Sequence, residues 1–224
     1  KFKMKKYILL MIACIGMNSH TSSGHTVDVI TEEVHAGPER SFSSIMSSVV
    51  EVRSQHGYGT GTVFENSGQT YVLTAAHVIL NFRGEQVPVT IVHNEESHNA
   101  TVVYSNSDED IAILSIPEMN TRSPYKLRFR RSSIDIGERA GYCGFPNRRD
   151  LACFSGGISF TAEGVINLHA YAFGGASGSL VVDSRGRAIG ILSAIEVGRF
   201  MGMPTPLESI IWIRPITRDL LREI

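Results

Sequence analysis

The chain has 224 residues, with 21 Lys plus Arg against 22 Asp plus Glu, a formal charge of −1. That balance gives no electrostatic footprint for a nucleic-acid partner, and 19% charged residues are too few for a charged disordered tail. Three cysteines, none in a Cys-x-x-Cys pair, rule out a disulfide scaffold and a thiolate zinc site, and no cofactor or metal is implied. With 42% hydrophobic residues, 21 glycines and many Val, Ile, Thr and Ser, the composition points to a compact all-β protein rich in turns.

The first segment reads as an address. Lys1, Lys3, Lys5 and Lys6 precede the apolar run Tyr7 to Ile15, the outline of a secretory signal peptide. The run is shorter than the roughly 20 residues a spanning helix needs, and initiation at Met4 would leave Lys1–Lys3 outside the reading frame. Met11-Ile12-Ala13-Cys14 resembles the lipobox of bacterial lipoproteins, departing from it at Met11 and Ile12. Plain secretion or release to the periplasm is the preferred expectation. A lipidated Cys14 is the alternative and the sole route by which a membrane becomes a partner. Residues 18–44, rich in Ser, Thr, His and Gly, show no period and read as a flexible spacer. His20, His25 and His35 are irregularly spaced there and read as solvated rather than metal-ligating.

From Ser47 onward short β-rich runs alternate with turn signals. They include Val49–Arg53, Gly57–Phe64, Thr70–Thr74, Val87–Val92, Ala100–Tyr104 and Ile111–Ile116. Pro124 and the basic cluster Arg122, Lys126, Arg128, Arg130 and Arg131 interrupt the series and read as a solvated linker. A second series follows, with Asp183-Ser184-Arg185-Gly186 as a hairpin turn signal. Thr217 is placed to cap a short closing helix. Such regular spacing suits antiparallel barrels or a sandwich.

Three segments carry residue types suited to nucleophilic catalysis: Thr74-Ala75-Ala76-His77, Asp110-Ile111-Ala112 and Gly175-Ala176-Ser177-Gly178-Ser179. A serine hydroxyl needs an adjacent base. Histidine titrates near neutral pH, and a buried carboxylate orients the imidazole and stabilises its charged form. Glycine before the serine lets the N–H groups of Gly175 and Ser177 converge on an oxyanion. In this order, spaced 33 and 67 residues apart, the segments resemble trypsin-like serine peptidases of the chymotrypsin fold, over roughly residues 45 to 220. The likeness is greatest to bacterial and viral members, including the protease domain of the periplasmic heat-shock type.

The resemblance implies two six-stranded antiparallel barrels with the site between them, His77 and Asp110 from the first and Ser177 from the second. The chain then divides into a signal (1–17), a spacer (18–44), a first barrel (45–121) and a linker, second barrel and closing helix (122–224). Protein or peptide substrates are expected to pair along Ser193-Ala194-Ile195, and a monomer is expected. Ala176 stands where the digestive branch has an aspartate that pairs with a new amino terminus, so that activation switch is not expected. Tyr171 occupies the position that selects basic side chains in the trypsin branch. With Ile195 narrowing the pocket, small or medium apolar side chains are the expected preference, and His169 is expected to be structural. Cys143 and Cys153 suit a cross-hairpin disulfide in an exported protein, two reduced buried thiols being the alternative. The competing function is that of an inactive binding or adhesion module on the same fold.

Overall fold

The computed structural model describes residues 37–117 and 124–224. The export signal, Cys14, the three spacer histidines and Arg122 lie outside the described residues. One helix, α1 (Glu39–Met46), overlaps the last residues of the segment read as spacer. Its Ile45 is fully buried, Phe42 meets Gly141, and Glu39 bonds Arg139 at 3.0 Å and the Ser155 hydroxyl.

The first strand series folds as β1 (Val49–Ser54), β2 (Gly57–Asn66), β3 (Gln69–Thr74), β4 (Val89–His93), β5 (Glu96–Asn106) and β6 (Ile111–Ser115). Their spatial order, β1-β2-β3-β6-β5-β4, closes on itself because β1 pairs with both β2 and β4. Closure leaves no sheet edge to be covered. The run Ile111–Leu114 is buried throughout, so both faces of this strand are covered.

The second series folds as β7 (Arg139–Gly144), β8 (Ala152–Ala162), β9 (Val165–His169), β10 (Leu180–Asp183), β11 (Ala188–Phe200) and β12 (Met203–Pro215), in the closed order β10-β11-β12-β9-β8-β7. The fold class is therefore two closed six-stranded antiparallel barrels, as the resemblance implied. The turn expected at Asp183–Gly186 is present, with Asp183 Oδ1 accepting the N–H groups of Arg185 and Arg187, each at 2.9 Å.

The linker between the barrels is tied to both. Tyr125 bridges to Phe64 of the first, and Phe129 bridges to Ala188 of the second. Arg130 is not the solvated charge expected of it. Only 12% of its side chain is exposed, and it forms a bidentate pair with Glu138 at 2.7 Å while reaching the buried Asp183 at 3.4 Å. The apolar core of the first barrel continues into Cys143, Leu180, Val182 and Ile191 of the second, so the barrels share packed surface.

The closing helix takes a different form. Arg218–Arg222 make a 3-10 turn, and the Thr217 side chain makes no capping bond. Five residues are too short to establish an α-helical ladder, so the tighter i→i+3 form is adopted, with Leu220 buried beneath it.

Candidate active site

His77 leaves the end of β3 on a 3-10 turn, Ala76–Ile79. Ala75, Ala76, Val78 and Ile79 are all buried and pin this turn to the first barrel, which leaves His77 facing outward with 49% of its side chain exposed. Small residues at 75 and 76 let the backbone lie close to the neighbouring strands.

Asp110 arrives from the turn between β5 and β6. The side-chain oxygen of Asn106 accepts the N–H groups of Asp108 at 3.0 Å and Glu109 at 3.1 Å, and this Asx turn delivers Asp110 with φ 54°. A left-handed non-glycine residue is sparsely populated and persists where its surroundings fix it. Here they do. The carboxylate accepts the His77 main-chain N–H at 2.9 Å, lies 2.9 and 3.0 Å from His77 Nδ1, and accepts the Ser193 hydroxyl. Burial opposes ionisation of Asp110, yet the His77 hydrogen bond and charge, with the Ser193 hydroxyl, outweigh it and hold the carboxyl below its ordinary value. An Nδ1–H donated to Asp110 leaves Nε2 as the acceptor on the opposite side of the ring.

Ser177 lies in the loop between β9 and β10. Its carbonyl accepts the Thr60 N–H at 2.8 Å, and the Gly178 N–H donates to Leu192 at 2.7 Å. Gly178 has φ +88°, and a Cβ there would lie 2.2 Å from the Thr60 carbonyl oxygen and 2.3 Å from Thr74 Oγ1. The same Cβ would be 2.9 Å from the Ala75 nitrogen, two residues before His77. Glycine at 178 thus allows the serine loop of the second barrel to rest on the histidine strand of the first.

The approach to Ser177 is clamped from the first barrel as well. Thr60 Oγ1 donates to the Gly175 carbonyl at 2.8 Å and accepts the Phe145 N–H at 3.1 Å. Tyr58 Oη and the Asn147 N–H both donate to the Gly174 carbonyl, at 3.1 and 2.6 Å. Gly175 has φ +99°, with the Tyr58 ring and the Phe145 carbonyl where a Cβ would stand. The N–H groups of Gly175 and Ser177 donate to no acceptor among the described residues. The roles of Thr60, Tyr58 and Asn147 are not apparent from sequence. Gly59-Thr60-Gly61 carries a signal, in that a polar residue between two glycines on a buried strand needs an internal partner.

The remaining expected residues lie on the second barrel and its loops. Ser193 is half-buried and joins the Asp110 network, a role the sequence did not assign. Ala194 is exposed beside it, and Ile195 packs on the core of the second barrel. Tyr171 is 46% exposed; its carbonyl accepts the Tyr142 hydroxyl at 2.7 Å, and its ring lies 5.3 Å from Phe154. His169 is exposed at the end of β9. Cys143 and Cys153 sit directly opposite one another on β7 and β8 and form the disulfide, with an S–S length of 2.03 Å.

Comparison with known proteins follows the same lines. The family model of the trypsin-like peptidase domain matches residues 59–191. Among solved structures, the active form of the Rv3671c protease of M. tuberculosis superposes with a TM-score of 0.65 at 19% identity, over 89% of each chain. The serine endoprotease of Yersinia pestis gives 0.63 at 21% identity, over 79% of this chain and 61% of that one. The HtrA-type protease AlgW, solved with a tripeptide, gives 0.64 at 22% identity, over 83% of this chain and 61% of that one. A search of curated protein sequences finds no match. The family match covers more than half of the chain, and the two closed barrels agree with it: the chain belongs to the trypsin-like peptidase family of serine endopeptidases.

Proposed function

We propose that Ser177 is the nucleophile of a peptide-bond hydrolase, His77 its general base and Asp110 the carboxylate that orients the imidazole. The observation that carries this reading is the seating of His77 Nδ1 at 2.9 and 3.0 Å from the two Asp110 oxygens, which leaves Nε2 as the ring's free acceptor, while the residue after Ser177 rests on the strand end that leads to His77. Nε2 takes the Ser177 proton as Oγ attacks the scissile carbonyl. The oxyanion that forms is met by the N–H groups of Gly175 and Ser177, which have no other acceptor among the described residues, so little need be broken as charge develops. The imidazolium returns its proton to the leaving amine. Water then repeats the sequence on the acyl-enzyme.

The substrate's extended backbone pairs antiparallel along Ser193-Ala194-Ile195. Tyr171 and Ile195 restrict the pocket beyond, which favours small or medium apolar side chains. The protein acts after export, secreted or in the periplasm, or held at a membrane if Cys14 is acylated. The Cys143–Cys153 disulfide suits an oxidising compartment. It functions as a monomer on protein or peptide substrates.

The test is a cleavage-site profile on a peptide library with Ser177→Ala alongside. Cleavage after small apolar residues, lost in the variant, supports the reading. Dominant cutting after Arg or Lys contradicts the pocket assignment, and cleavage that survives in Ser177→Ala contradicts the nucleophile.

A further inference from the structure

The hairpin of β11 and β12 outgrows the barrel. After Ile195↔Ile211 the register jumps to Glu196↔Leu207, so the extra residues 208–210 all belong to β12 and the alternation of β11 runs on unbroken. A two-stranded ribbon then projects to the turn at Met201 (φ 51°) and Gly202 (φ 83°). It is exposed, with Val197 at 56%, Phe200 at 66% and Met203 at 63%.

The two edges of this ribbon are unlike. A two-residue loop makes Phe200↔Met203 a hydrogen-bonded pair. Alternation makes Gly198↔Thr205 and Glu196↔Leu207 hydrogen-bonded as well. At the pairs between them, Arg199↔Pro204 and Val197↔Pro206, the main-chain groups point outward. On β12 both outward positions are proline, which has no N–H to offer, a usual way of closing an edge to further pairing. On β11 the outward positions are Val197 and Arg199, each with N–H and C=O intact. β10 pairs with β11 only as far as Ile191, so among the described strands nothing covers this side of β11 beyond Leu192. One edge is blocked, and the open one continues directly from Ser193-Ala194-Ile195 in the same phase.

We propose that the open edge of β11 extends the substrate-pairing strand, and that the enzyme acts on extended, unfolded polypeptide reaching at least seven residues to the amino-terminal side of the cleaved bond. This rests on the peptidase reading above. Substrate residues one to three before the bond lie opposite Ser193 to Ile195, so the fifth exchanges both main-chain hydrogen bonds with Val197 and the seventh with Arg199. A fifth residue of apolar character lies on the same face as Val197 and Pro206.

The test compares fluorogenic peptides built on the best-cleaved library sequence, carrying four or eight residues before the bond. The octapeptide is expected to show at least tenfold higher kcat/KM. N-methylation of its fifth residue, whose N–H faces Val197, returns it to within about twofold of the tetrapeptide, whereas N-methylation of the sixth has no such effect. In Val197→Pro the parent and both methylated octapeptides become equal substrates. Equal kcat/KM for the two lengths, or equal effects of the two methyl groups, overturns the inference. So does a dimer in sedimentation that Val197→Pro dissolves, since the edge would then serve a second copy. Hydrolysis of the tetrapeptide with no gain in length sinks this inference alone. Failure to cleave either peptide, with no fluorophosphonate adduct on Ser177, removes the peptidase reading and this one with it.

Discussion

Gly178→Ala is the substitution that most sharply tests how closely the Ser177 loop of the second barrel rests on the first barrel's strand that leads to His77. The added Cβ would stand 2.2 Å from the Thr60 carbonyl oxygen and 2.9 Å from the Ala75 nitrogen, both main-chain atoms that cannot turn aside. Left-handed backbone costs an alanine about 1–2 kcal/mol, and overpacking of this kind adds about 1–3 kcal/mol. A central value of about 3.5 kcal/mol lowers Tm by about 7–14 °C in a protein of this size. Activity should fall further than stability, because the strain is relieved by moving Ser177 away from the histidine strand. Gly174→Ala is the control: it lies in the same loop, and its Cβ meets nothing within 4 Å. Urea unfolding and the rate of fluorophosphonate labelling, measured on both variants, separate the two effects. A Gly178→Ala protein as stable and as reactive as its parent would refute the close approach of the two barrels at Gly178.

Asp110→Asn should lower kcat by about 10⁴-fold while leaving the fold intact, because an amide cannot hold the imidazole in the required tautomer; circular dichroism and peptide hydrolysis check both halves. The acid limb of stability should depend on the same carboxylate. Its folded pKa is held below the unfolded value of about 3.9, so its contribution is fully present above about pH 5 and is lost as pH falls through the folded pKa. The stability difference between parent and Asp110→Asn should therefore be flat above about pH 5 and shrink below about pH 4, as read from urea unfolding across pH. Reduction of the disulfide, which closes a ten-residue separation, should cost about 2–3 kcal/mol. Cys143→Ser/Cys153→Ser should lose the same amount and become insensitive to reductant, as unfolding with and without reductant would show.

The strand series, the order of the three reactive segments and the cysteine pair could be read from sequence because each leaves a local mark: an apolar run, a glycine-flanked serine, a spacing across one hairpin. What could not be read lies where a residue's role is fixed by a distant partner. Thr60 is one strand residue among several until the Gly175 carbonyl and the Phe145 N–H meet its hydroxyl. Ser193 reads as part of a substrate strand, yet its hydroxyl completes the Asp110 network from 83 residues away. The ribbon of residues 196–207 carries no hydrophobic alternation because neither of its faces is buried in a core, and its two prolines and two glycines look like loop. α1 leaves no sequence mark for a different reason. Eight residues with Ile45 buried and Phe42 partly buried are too few to establish a helical period.

The central claim is that Ser177 is a nucleophile activated through His77. Treatment with a fluorophosphonate followed by peptide mass spectrometry tests it most directly. A single adduct on Ser177, absent in Ser177→Ala and reduced by orders of magnitude in His77→Ala, is the predicted result. Undiminished labelling in His77→Ala, or no adduct on Ser177 in the folded parent protein, would contradict the account and leave the barrels as a binding module.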